Sequence, residues 1–187
     1  MPTLQIIIAS TRPGRVGLPV AQWFSARASK HGAFEIDVAD LLEIGLPFVD
    51  EPNHPRLRQY THQHTRAWSA RVDAADAFAI VLPEYNYSMP ATIKNAIDFL
   101  HFEWQYKPVG LVSYGGVSAG TRSAQVLKQV LSTLKMFPLA EAVSIPFVHQ
   151  FIDDEGELQP NETMEKAADA MLDELVRVEA ALRPLRG

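Results

Sequence analysis

The chain contains no cysteine in 187 residues, which excludes disulfides, zinc thiolates, iron–sulfur clusters and a cysteine nucleophile together. Long apolar runs are also missing, and none approaches the roughly 18 residues of a membrane span. Basic residues are outnumbered, 17 Lys and Arg against 22 Asp and Glu, for a net charge of −5. They form no stripe, which argues against a general nucleic-acid surface. The start, Met1-Pro2-Thr3, lacks the basic segment of a secretory signal, so the expected compartment is the cytoplasm. A Gly-Lys-Ser/Thr phosphate loop, a Gly-x-Gly-x-x-Gly fingerprint and a Gly-x-Ser-x-Gly elbow are all missing. Nucleotide hydrolysis, a dinucleotide domain of the Rossmann type and serine hydrolysis lose their main support.

What is present fits an ordinary globular protein, with 47% hydrophobic and 21% charged residues. The length suits a single domain over residues 1–187, large enough for a three-layer α/β core without metal or disulfide support. Three stretches share one layout, an apolar run followed by a polar or glycine-rich turn and a helix-like segment. Residues 4–9 lead to Ser10-Thr11-Arg12-Pro13-Gly14-Arg15. Residues 78–82 lead to Pro83-Glu84-Tyr85-Asn86-Tyr87-Ser88, and residues 109–112 to Ser113-Tyr114-Gly115-Gly116. Continuous apolar runs of this length suit strands buried on both faces of a parallel sheet. The three turns then emerge at one sheet edge, where open α/β sheets bind ligands.

The remaining pattern completes alternating strands and helices. Helices are expected over residues 17–30, 57–75, 90–100, 118–136 and 161–183, and further strands over 34–38 and 140–145. The alternation Phe34, Ile36, Val38 suits a sheet edge. Residues 47–55 read as a long irregular connection. The fold class is therefore α/β, a doubly wound five-stranded parallel sheet in an α/β/α sandwich.

The first turn has the chemistry of a phosphate site. A helix N-terminus offers unpaired amides and partial positive charge. Gly14 and Gly17 permit close backbone approach, Ser10 and Thr11 supply hydroxyls, and Arg12 or Arg15 can bind phosphate bidentately.

The three turn motifs also resemble the NADPH-dependent FMN reductase family. Ala9 to Arg15 carries the likeness first. Pro83-Glu84-Tyr85-Asn86-Tyr87-Ser88-Met89-Pro90-Ala91 follows, running into Lys94-Asn95-Ala96-Ile97-Asp98, and then Lys107 to Gly116. The likeness covers most of residues 3–150, and the middle motif is its most specific part. It implies a flavodoxin-like fold, bound FMN, and reduction of flavins, quinones, azo dyes or metal oxyanions. Hydride would pass from NADPH or NADH through FMN to a small-molecule acceptor. The alternative is an FMN-binding electron carrier without turnover of its own.

By resemblance, Ser10, Arg12, Arg15 and Gly17 anchor the phosphate. Many relatives have a serine near the position of Arg15. Pro83, Glu84, Tyr85, Asn86, Ser113, Tyr114, Gly115 and Gly116 frame the ring, the glycines clearing its approach. The cofactor carries the hydride chemistry, so no catalytic acid or base is expected. Glu84 reads as a turn carboxylate pairing with Lys94 or an arginine. Phe99, Phe102, Trp104 and Tyr106 suit either core or an interface in a homodimer or homotetramer.

Other features carry little chemistry. His62 and His64 form a His-x-His pair, but residues two apart on a helix do not share a face. His31, His54, His101 and His149 are scattered. Asp153-Asp154-Glu155-Gly156-Glu157 lacks the ligand order of a calcium loop and reads as a solvated turn. No metal site is expected.

Overall fold

In a computed structural model describing residues 1–186, five strands form one all-parallel sheet in the order β2-β1-β3-β4-β5. The strands are β1 Thr3–Ile8, β2 Glu35–Asp40, β3 Ala77–Pro83, β4 Pro108–Tyr114 and β5 Phe137–Ile145. The principal helices are α1 Gly17–His31, α2 Leu41–Ile44, α3 Gln63–Asp73, α4 Ala91–Asp98, α5 Thr121–Thr133 and α6 Glu162–Leu182. This is the doubly wound sheet expected from the alternation and the flavodoxin-like fold that the family resemblance implies. No described helix is long and apolar enough to cross a membrane.

Burial explains the strand sequences. β3 and β4 are buried at every position, and β1 at every position after Thr3, which is why their sequences run without alternation. β2 and β5 lie at the edges and are only partly buried, β2 at Ala39 and Asp40 and β5 at Leu139, Val143 and Ile145. β5 starts at Phe137, before the expected residue 140; Pro138 is tolerated there because the strand has a free edge. One apolar layer joins α1 and α6 to the sheet through Val20, Phe24, Met171 and Leu172. The opposite layer packs Trp68, Ile93, Ile97 and Leu127 on Phe78, Ile80 and Leu82. The Trp68 indole N–H donates to the Ala96 carbonyl at 2.9 Å, locking α3 against α4.

The helix expected over residues 57–75 is shorter. Pro55–Leu57 forms a 3-10 turn, Arg58 takes φ +49° and stops it, and α3 begins only at Gln63. His62 therefore precedes the helix in an extended conformation. The expectation that His62 and His64 point apart fails for this reason. Their rings stack with centroids 5.1 Å apart, and the His64 Nε2 lies 3.0 Å from Asp50 Oδ1. Among the described residues no group of three or more potential ligands could hold a metal ion.

The aromatic cluster divides. Phe99 and Trp104 belong to the core, with Trp104 packed on Phe78 and Trp68, whereas Phe102 is 44% exposed. Asn95 holds the long connection to α4, donating to the Pro47 carbonyl at 2.7 Å and accepting from the Val49 amide at 3.1 Å. The acidic segment after β5 is a turn closed by Asp153, whose carboxylate accepts from the Glu157 amide at 2.8 Å.

Candidate active site

Sheet order reverses at β1. The chain passes from β1 to β2 on one side and returns to β3 on the other, so the turns after β1 and β3 diverge and leave a crevice. A cleft of about 380 Å³ occupies that place. Its walls are Ser10, Arg12, Arg15 and Val16 after β1, Pro83 to Tyr85 after β3, Tyr114 to Gly116 after β4, and Phe147 to Gln150 after β5. Three of these four turns were legible in the sequence. The fourth was not, since Phe147-Val148-His149-Gln150 has no glycine or phosphate-type motif; only its place after a parallel strand points to it.

The turn after β1 is cross-braced by Arg15. Arg15 donates to the Ser10 carbonyl at 2.7 Å and to Asp40 Oδ1 at 2.6 Å, and its second terminal nitrogen pairs with Asp40 Oδ2. Asp40 also caps α2, accepting from the Leu42 amide at 2.9 Å. Burial pushes the Asp40 carboxyl upward, but the bonds from Arg15 and Leu42 prevail and hold it below its usual range. The Arg15 guanidinium is committed to this pair, whereas Arg12 is exposed on the cleft rim.

Tyr85 spans the crevice: its hydroxyl meets the Ser10 hydroxyl at 2.7 Å, joining the turns after β3 and β1. Tyr114 is 5% exposed, and burial pushes its phenol upward. Gly17 opens α1 directly against Tyr114, so that a Cβ there would stand 2.5 Å from the phenolic oxygen. Gly17 thus makes room for Tyr114, in addition to placing its amide at the helix start.

The turn after β3 is a two-residue hairpin, with reciprocal backbone bonds between Tyr85 and Ser88 at 2.9 and 3.0 Å. Asn86 and Tyr87 take φ +49° and +69°, the left-handed pair that such turns demand. The Arg122 guanidinium lies 3.8 Å from the Tyr87 ring centroid and reaches Glu84 at 2.7 Å through Nε. Glu84 also accepts from the Ser118 hydroxyl at 3.0 Å and the Arg122 amide at 3.3 Å. Its partner is therefore an arginine at the start of α5, while Lys94 pairs with Asp98. Asn86 lies in the turn but not among the cleft-lining residues.

After β4, Ser113 is buried beneath the cleft, 3.4 Å from the Ser144 hydroxyl. A Cβ on Gly115 would meet the Gly120 amide at 3.3 Å, so its missing side chain serves chain packing rather than the cleft. Around Gly116 the space is open. The carbonyls of Gly115 and Gly116 accept from the amides of Val148 and Phe147 at 3.1 and 3.0 Å, which fastens the fourth turn to the third.

The cleft combines a hydroxyl- and guanidinium-bearing helix start with a wall of tyrosine, proline and open glycine backbone. That donor set suits an anion at one end and a flat ring at the other.

Comparison with known proteins bears on the family. Residues 2–150 match the family model described as NADPH-dependent FMN reductase. An NAD(P)H-dependent FMN reductase of Schizosaccharomyces pombe is 37% identical over 149 residues, covering 78% of this chain and 74% of that protein. One of Saccharomyces cerevisiae is 35% identical over 153 residues, 75% of this chain and 80% of its own length. Among solved structures, the flavoenzyme NAD(P)H:(acceptor) oxidoreductase FerB of Paracoccus denitrificans superposes with a TM-score of 0.78 at 22% identity, covering 97% of this chain and 98% of that one. This last likeness bears on the fold alone. By the match over residues 2–150 and these identities, the chain belongs to the NADPH-dependent FMN reductase family.

Proposed function

We propose that this cleft is the FMN site of an NAD(P)H-dependent oxidoreductase and that its four turns divide the work of holding the cofactor. The family's cofactor and reductant are FMN and NAD(P)H, and its membership favours an enzyme over an electron carrier without turnover. When bound, FMN supplies the hydride and electron chemistry between NAD(P)H and an acceptor such as a flavin, quinone or azo compound.

The observation that carries the assignment is the asymmetry between Arg12 and Arg15. Arg15 neutralises Asp40 and shapes the turn, so Arg12 is the guanidinium left at the rim to meet a phosphate. Ser10, Thr11 and the first amides of α1, including that of Gly17, complete the anion cradle. Pro83, Glu84, Tyr85 and Asn86 hold the wall at the ring's edge, with Glu84 acting through Arg122 and α5. Tyr114, Gly115 and Gly116 form the opposite wall, with Ser113 buried behind them. These residues bind and orient, with Tyr114 packed closely on Gly17 beneath the site.

The test is FMN affinity in the Arg12→Ala variant. Weaker binding with an unchanged melting temperature supports the phosphate assignment, and unchanged affinity removes it.

The working protein in this reading is a cytoplasmic homo-oligomer built from a single domain. Support comes from the cysteine-free composition and from exposed apolar residues such as Phe48, 83% exposed, and Leu57, 58% exposed. Light scattering on the purified protein tests the assembly, and a monomer across working concentrations would contradict it.

A further inference from the structure

Reduction of a quinone to a hydroquinone consumes two electrons and two protons. NAD(P)H supplies both electrons and one proton as hydride and leaves as NAD(P)+. The second proton must come from elsewhere, and the residues lining the cleft are the first place to find it.

Most titratable groups of the cleft are already committed. Arg12 and Arg15 keep their protons throughout the working range. Glu84 accepts bonds from Ser118 and Arg122 and faces the α5 start. The Tyr85 hydroxyl is shared with Ser10, and the Tyr114 phenol is buried beneath Gly17. The remaining group is His149, exposed in the turn after β5 and part of the cleft wall.

That turn is built to stay in place. Phe147 takes φ +46°, its amide and that of Val148 are tied to Gly116 and Gly115, and the Val148 side chain is buried. His149 follows immediately and lines the same cleft as Gly116, whose Cβ position faces open space. Imidazole is the side chain that gains and loses a proton near neutral pH.

We propose that His149 is the proton donor to the acceptor, an inference that rests on the reductase reading of the cleft. As the acceptor takes up hydride, the imidazolium N–H bond breaks and an O–H bond forms on the acceptor oxygen. The neutral imidazole then recovers a proton from water. The residue favours acceptors that must be protonated, such as quinones, over those that take electrons alone.

The experiment compares wild type and His149→Gln, both FMN-loaded, with 1,4-benzoquinone and with ferricyanide, which takes electrons without a proton. The expected result is a fall in the benzoquinone-to-ferricyanide ratio of kcat on the order of 10²-fold in the variant. Independently of any variant, the His149 ring resonance in the FMN-loaded wild type shifts when hydroquinone is added. An unchanged ratio or an unmoved resonance would overturn the proposal. If wild type reduces neither acceptor, the reductase reading itself fails, which is a distinguishable result.

Discussion

The Tyr114 phenolic oxygen stands 2.5 Å from where a Cβ on Gly17 would be, so the floor of the cleft and the start of α1 exclude any larger residue there. Gly17→Ala must push the phenol or the helix aside. Overpacking of this kind costs about 1–3 kcal/mol, measurable by urea denaturation. FMN affinity falls with it, because the shifted element is the one that presents the first amides of α1. A variant with wild-type stability and affinity would show that the contact relaxes freely.

Arg12 and Arg15 separate in their effects. Arg12→Ala weakens FMN binding by about 1.5–3 kcal/mol, the range of a hydrogen bond to a charged group, with stability unchanged. Arg15→Ala instead leaves Asp40, 6% exposed, without its partner, so it lowers stability first and affinity as a consequence. Isothermal titration with FMN beside thermal melts distinguishes the two. Equal behaviour of the two variants would contradict the division of roles.

Glu84 ties the turn after β3 to α5. Glu84→Gln keeps the size and removes the charge that holds Arg122. The hairpin, with its left-handed Asn86 and Tyr87 and the Tyr87 ring held against that guanidinium, loosens. Amide exchange at Asn86 to Ser88 is expected to accelerate in the variant. Unaltered exchange would assign the hairpin's order to its own turn bonds.

Acid stability has a defined contributor in Glu51. Burial raises its carboxyl, but the amides of Thr61 and His62 and the hydroxyls of Thr65 and Thr61 outweigh this and hold it at about 2. A folded value below the unfolded one stabilises the protein above the ordinary carboxylate range. The contribution is lost as pH falls from 4.5 toward about 2. Denaturation of wild type and Glu51→Gln should therefore differ at pH 6 and converge across that window. A difference that persists to the acid end would assign the effect to packing.

Much of this was legible in the sequence because local chemistry dictated it. Continuous apolar runs gave β1, β3 and β4, and the alternation of Phe34, Ile36 and Val38 marked an edge. The turns after β1, β3 and β4 announced the cleft by composition. Partnerships across long sequence separations were not legible. Arg15 looks like a phosphate ligand until Asp40, 25 positions on, takes its fork. Glu84 has no visible partner until α5 brings Arg122 to it. Gly115 invites a ring-facing role, but its open side meets Gly120. His149 carried no motif at all, since what places it in the cleft is the direction of β5.

The most direct test of the account is anaerobic addition of NADPH to the FMN-loaded protein while the visible flavin absorbance is followed, with Arg12→Ala alongside. The account predicts bleaching without any partner enzyme, and less flavin retained at equal protein concentration in the variant. Flavin absorbance that persists in the presence of NADPH would contradict it.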